Sequence, residues 1–179
     1  MSESLVTIPA NIAQSSPYLI IVSVLLSLLV SQGSVKWPFY FLCFYIVFGE
    51  IGNFLTKRLF RHVFPTEQLF LRPSPPSTGC GVFSDCGAGG SRTYGFPSGH
   101  AQLTSLAAMF WSLYVYHQTS LSTVQKIIRI SIMWVLAGLV WYSRVHIGCH
   151  NWIQISGGVV MGSLFGVLAF YIVKKIKND

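Results

Sequence analysis

Charge is what this sequence has least of. Asp, Glu, Lys and Arg together make up 9% of its 179 residues, and only five are acidic; a soluble domain carries roughly a quarter. With 52% hydrophobic residues there is too little polar surface to cover a globule in water, which excludes a soluble domain and marks an integral membrane protein. Cysteines and histidines at metal-ligand spacing are also lacking, so no metal or other cofactor is expected. No stripe of basic residues interleaves with aromatics, so the net charge of +7 does not point to nucleic acid. No basic region precedes the first apolar run and no small-residue cleavage site follows it, so a cleaved signal peptide is not expected. Nor is there an internal repeat or a second domain: residues 1–179 read as one unit.

What is present is apolar sequence in lengths that suit a bilayer. Five segments, 17–32, 37–56, 98–118, 125–143 and 151–173, predict an all-α polytopic bundle of about five transmembrane helices. The first is the thinnest, because its run "PYLIIVSVLLSLLVS" has 15 residues, short of the roughly 20 that cross a hydrocarbon core. A long loop, 57–97, separates the second and third segments and holds five of the twelve Lys and Arg. Loops of that length in a small domain are functional or disordered.

With five crossings each side of the membrane carries six Lys plus Arg. If Lys57, Arg72 and Arg144 belong to a site, the side holding Lys36, Lys126, Arg129 and the tail leads six to three and becomes cytoplasmic. The loop then faces the lumen or the exterior. Cys80 and Cys86 lie in it as "CGVFSDC" and are either a disulfide, as an oxidising compartment allows, or two free thiols.

The polar residues gather at segment edges. Glu50, Asn53 and Lys57 follow i, i+3, i+7 spacing, which on a regular helix is one face. Glu50 is either functional, as intramembrane carboxylates commonly are, or a partner for a neighbouring helix, and Lys57 by itself could simply snorkel. In "FPSGHAQL", Ser98 can cap the helix that follows, leaving the N–H groups at Ser98 and Gly99 aimed outward as an anion site. His100 is then placed to give a proton to what they hold. In "SRVHIGCHNWIQ", Arg144 offers a fork of donors to phosphate oxygens and His150 a nucleophile, with Gln154 one helical turn on to orient its ring.

Taken together, these residues resemble the membrane type-2 phosphatidic-acid phosphatase superfamily, whose fold is shared with vanadium-dependent haloperoxidases. "PSGH", Pro97 to His100, matches its second motif in full, and Ser143, Arg144 and His150 match the spacing of its third. Two positions depart. "RP" of the first motif is Arg72-Pro73, but the nearest upstream lysine, Lys57, stands 14 residues away where the motif has six, leaving Lys57, Arg58 or Arg61 for the lysine's role. Gln154 occupies the aspartate position of the third motif. A glutamine after "HNW" and the "HAQL" that follows Ser98-Gly99 are similar to the dolichyl diphosphatase branch.

The resemblance implies a lipid phosphatase of the endoplasmic reticulum, or of an external bacterial face, acting on a polyprenyl diphosphate without a metal. His150 would attack phosphorus, His100 would protonate the leaving oxygen, and Lys57, Arg72, Arg144, Ser98 and Gly99 would hold the phosphate oxygens, with Glu50 and Asn53 behind them. The alternatives are a phosphatase of another lipid phosphate and an inactive lipid-binding relative. A transporter is disfavoured because the charges sit at segment ends.

Overall fold

The computed structural model describes residues 15–24, 36–73 and 94–178. Helix α1 is Ser15–Val24. Helix α2, Lys36–Phe44, runs through a π-helical segment, Tyr45–Ile51, into α3, Gly52–Val63. A short 3-10 turn, Gln68–Phe70, lies in the long loop, followed by α4, Gly99–Tyr116, α5, Thr123–His146, and α6, Trp152–Asn178. No β-strand occurs among the described residues; Leu71 and Tyr94 form one isolated antiparallel bridge.

The all-α membrane architecture is as expected, but the crossings are not equivalent. Among the described residues three spans are long and apolar enough to cross a bilayer: Trp37–Val63, Thr123–His146 and Trp152–Lys177. α4, which the sequence reads as a crossing, is less apolar than these three because it carries Gln102, Thr104, Ser105 and Ser112. Its Gln102, Thr104 and Ser112 are buried against other helices and hydrogen-bonded to them, so α4 is the central post of the bundle. Of the first expected crossing, 17–32, only the part up to Val24 is described, as a short helix whose Pro17 carbonyl accepts a hydrogen bond from Tyr45 Oη at 3.3 Å.

α6 lies directly on α4 because it is notched by glycine at every fourth residue. A Cβ on Gly162 would collide with the Gln102 backbone, and one on Gly166 would come within 2.7 Å of the Leu106 carbonyl oxygen. Small residues at this spacing let two helix backbones touch, which is how helices associate where lipid removes the hydrophobic drive between them. α5 is tied to α4 by two indoles: Trp134 Nε1 donates to Ser112 Oγ at 3.1 Å and Trp141 Nε1 to Thr104 Oγ1 at 3.0 Å. The rest of α5 presents Ile128, Ile132, Val135 and Leu139 outward, as a lipid-facing helix does. Phe41, Tyr45, Phe110 and Phe170, all buried, fill the half of the bundle remote from the long loop.

Candidate active site

Four helix ends meet at the other half: the C-termini of α3 and α5 and the N-termini of α4 and α6. Local sequence places each. Ser98 caps α4, its Oγ accepting from Ala101 N–H at 3.5 Å, and its own N–H donates to the Gln154 carbonyl at 3.0 Å. α5 stops at Gly148, whose φ of 74° suits a residue without a Cβ. That turn folds the chain back so that the Arg144 carbonyl accepts from both Cys149 N–H at 3.1 Å and His150 N–H at 3.2 Å. Asn151 then starts α6, its Oδ1 accepting from Gln154 N–H at 2.9 Å. The α5–α6 turn thus fixes Arg144, His150 and Gln154 as one unit.

At its centre the His150 ring is almost fully buried, with Nδ1 at 2.9 Å from Gln154 Oε1. Burial above all, then the nearby Arg72 and Lys57 cations, hold this imidazole well below the ordinary histidine value; the Gln154 bond pulls the other way and Arg144 adds to the lowering. The ring is therefore neutral at neutral pH. Since Oε1 can only accept, Nδ1 carries the hydrogen and Nε2 keeps its lone pair. Arg144, at 0% exposure, is the largest fully buried side chain among the described residues.

The sequence-predicted residues divide as follows. Lys57, Arg72, Arg144, His150 and Gln154 are brought together, and Gly99 and His100 open α4 beside them; the Ser98 N–H is not aimed outward as expected, since the Gln154 carbonyl takes it. Of the three candidates for the first-motif lysine, Lys57 is the one whose charge reaches His150; Arg58 and Arg61 are exposed, Arg58 lying over the Phe54 ring. Asn53 is buried, donates from Nδ2 to Gln102 Oε1 at 2.8 Å, and lies so close to α4 that a Cβ on Gly99 would come within 3.1 Å of its Oδ1. Glu50 does not share this face. It is exposed, because it sits in the π-helical segment, whose wider turn rotates it away from the direction a regular i, i+3 spacing gives; it keeps an electrostatic reach to Lys57. Cys149 is buried and disulfide-bonded; Cys80 and Cys86, for which the sequence leaves both a disulfide and two free thiols open, lie outside the described residues.

Three contributors carry no role in the sequence reading. Gln102, the glutamine of "HAQL", is fully buried and ties α4 to the π-helical segment, donating to the Phe48 carbonyl at 3.0 Å and the Gly49 carbonyl at 3.4 Å. Asn151 donates from Nδ2 to the Leu69 carbonyl at 2.9 Å. Gly95 leaves the gap in which Gln154 meets Arg72: a Cβ there would strike the Gln154 amide and approach Arg72 Cγ to 3.0 Å. Gln102 has a local signal in "HAQL", and the glycine has one as a small residue just before the second motif.

Residues 18–178 match the PAP2 superfamily. This chain belongs to that superfamily. Similar PAP2 relatives include the dolichyldiphosphatase of Saccharomyces cerevisiae, 30% identical over 134 residues that cover 74% of this chain and 52% of the relative. The undecaprenyl-diphosphatase of Sulfolobus acidocaldarius is 29% identical over 142 residues, covering 74% of this chain and 54% of the relative. The chain thus spans about half the length of these curated relatives. In fold it is similar to the transmembrane PAP2-type phosphatidylglycerolphosphate phosphatase of Bacillus subtilis, at a TM-score of 0.64 and 19% identity over 98% of this chain and 76% of the other.

Within the PAP2 frame the geometry has one clear chemical capacity. A neutral imidazole whose outer nitrogen keeps its lone pair, in the field of two guanidiniums and an ammonium and beside a helix N-terminus, suits an anion that is attacked at its centre while its oxygens are held.

Proposed function

We propose that the protein is a lipid phosphatase that hydrolyses a polyprenyl diphosphate, of the dolichyl type, to the monophosphate through a phosphohistidine. The observation that carries the reading is the 2.9 Å contact between His150 Nδ1 and Gln154 Oε1 inside the field of Lys57, Arg72 and Arg144. His150 Nε2 attacks the terminal phosphorus in line with the bridging oxygen, a nitrogen–phosphorus bond forming as the phosphorus–oxygen bond breaks. Lys57, Arg72, Arg144 and the α4 N-terminus from Gly99 on hold the three equatorial oxygens, since positioning and charge stabilisation are most of what phosphoryl transfer asks of a protein. His100 protonates the departing lipid monophosphate. It then takes a proton from the water that cleaves the phosphohistidine, releasing inorganic phosphate and restoring His150.

The polyprenyl preference is supported by two relatives whose names carry dolichyl and undecaprenyl diphosphate. A site at the end of the bundle suits such a substrate: the diphosphate sits among the cations while the chain stays in the bilayer. We place this end on the lumenal or external side, as the positive-inside count directs once the site cations are set aside, which fits an endoplasmic-reticulum protein. Phosphate release from dolichyl diphosphate, undecaprenyl diphosphate, phosphatidate and phosphatidylglycerolphosphate, with and without chelator, tests substrate and metal independence together. Release that is fastest from the two diphosphates, unaffected by chelator and lost in His150→Ala supports the reading. Preference for a phosphomonoester overturns the substrate, and no release from any lipid leaves the inactive lipid-binding relative.

A further inference from the structure

Gln154 makes more bonds than an orienting partner needs. Its Oε1 meets His150 Nδ1, while Nε2 donates to two carbonyls of the long loop, Leu69 at 3.1 Å and Leu71 at 2.8 Å. Leu71 immediately precedes Arg72. An aspartate at this position could accept from the imidazole but has no hydrogen to give either carbonyl.

The two faces of the carboxamide are not independent. Because the carbonyls of Leu69 and Leu71 can only accept, they fix the NH2 toward the loop and the oxygen toward His150. The oxygen in turn fixes the hydrogen on Nδ1 and the lone pair on Nε2. If the loop withdrew, the carboxamide could turn over and offer NH2 to Nδ1, which would then be the acceptor, with the hydrogen on Nε2 and no lone pair there to attack with. A carboxylate has no such second state.

We infer that Gln154 is a positioning residue that makes the attacking tautomer of His150 conditional on docking of the loop segment carrying Arg72. The inference rests on the phosphohistidine reading and deepens it. Both departures from the family motifs then have one cause. Arg72 is too far along the chain from Lys57 to be placed by the end of α3, so it is delivered by a loop held from α6. Asn151 helps through its own bond to Leu69, and Gly95 N–H donates to the Phe70 carbonyl at 2.7 Å from the other side. Nucleophile and arginine are assembled in one event, and the ring is not set for attack until the arginine that neutralises the phosphate has arrived.

Phe70→Ala tests this, since Phe70 stacks on Phe96 at 4.4 Å and holds the loop without belonging to the site. Loosening the loop should lower kcat more than tenfold and raise KM in the natural chain. In the Gln154→Glu background, which keeps the acceptor and loses the loop bonds, it should change kcat less than threefold. Ring-15N histidine spectra, assigned with His150→Ala and needing no turnover, should show one tautomer with hydrogen on Nδ1 in the natural chain, a mixture in Phe70→Ala, and no mixture when Gln154→Glu is added. Asn151→Asp, which keeps the acceptor for Gln154 N–H and removes the donor to Leu69, is the second probe should Phe70→Ala not fold. Equal kcat losses in both backgrounds, or a single tautomer in both loop variants, would overturn the inference. Absence of phosphate release from the natural chain would instead fail the functional reading, with the spectra still deciding the coupling.

Discussion

Replacing Gln102 with methionine removes polar atoms from the middle of the bundle while keeping an unbranched side chain of nearly the same size. The natural side chain bonds to the Phe48 carbonyl, the Gly49 carbonyl and Asn53 Nδ2, and all of it is buried. At roughly 0.6–1.7 kcal/mol for each interhelical bond, three lost bonds come to about 2–5 kcal/mol. For a chain of this size that corresponds to a melting temperature lower by roughly 5–15 °C. The upper part of that range is expected because Asn53, which is itself buried, loses the acceptor of its Nδ2. Tryptophan fluorescence melts of the detergent-purified protein measure the shift. Asn53→Ala, which removes one of the three bonds, should fall by about a third as much. A Gln102→Met protein that melts within about 2 °C of the natural one would refute the reasoning, because the π-helical segment would then be held by something other than this amide.

Other outcomes follow from the same geometry. His150→Ala and His100→Ala should each lower turnover by about three orders of magnitude or more, with melting curves that still report a folded protein. Gly162→Ala should destabilise the bundle strongly, because its Cβ would meet the backbone of α4 and not a side chain that can move; a melt unchanged from the natural protein would show that the two helices can separate freely. The His150 imidazole is held below its ordinary value, so its proton is lost more readily in the folded chain. The acid limb of kcat/KM should therefore lie below pH ~6.5 and move upward in Gln154→Glu, where a carboxylate favours the imidazolium. The same depression means that stability is full above the unfolded histidine value and falls as pH drops through ~6.5 toward the folded one, which acid-side melts can follow.

The helices and the two histidine motifs were legible in the sequence because each depends on neighbours along the chain. A cap such as Ser98 and a residue one turn on such as Gln154 are local devices, and local spacing reports them. Glu50 misled for the same reason: its spacing from Asn53 assumes a regular helix, and nothing in "YIVFGEI" announces a π turn. α4 differs from the other expected crossings in what surrounds it, and apolar residues look alike whether lipid or protein is the neighbour. Its buried Gln102 and Ser105 mark the difference only once α6 is known to lie against them.

Arg72 shows where counting along the chain loses its physical meaning. A spacing of six between lysine and arginine is informative when one helix end carries both, since the rise per residue then sets their separation. Here the chain leaves α3 at Val63, turns through Gln68–Phe70 and pairs Leu71 with Tyr94, so Arg72 is placed by a bridge and by bonds from α6. Despite the fourteen intervening residues, Arg72 acts on the His150 imidazole, and more strongly than Lys57 does. The test of placement is thus the far end of those bonds. If Gln154 and Asn151 deliver the arginine, then Asn151→Asp should raise KM several-fold and Arg72→Ala should raise it further. Adding Asn151→Asp to Arg72→Ala should then change KM little, because a loop with no arginine to deliver has nothing left to lose. Full additivity of the two would place Arg72 by some other contact.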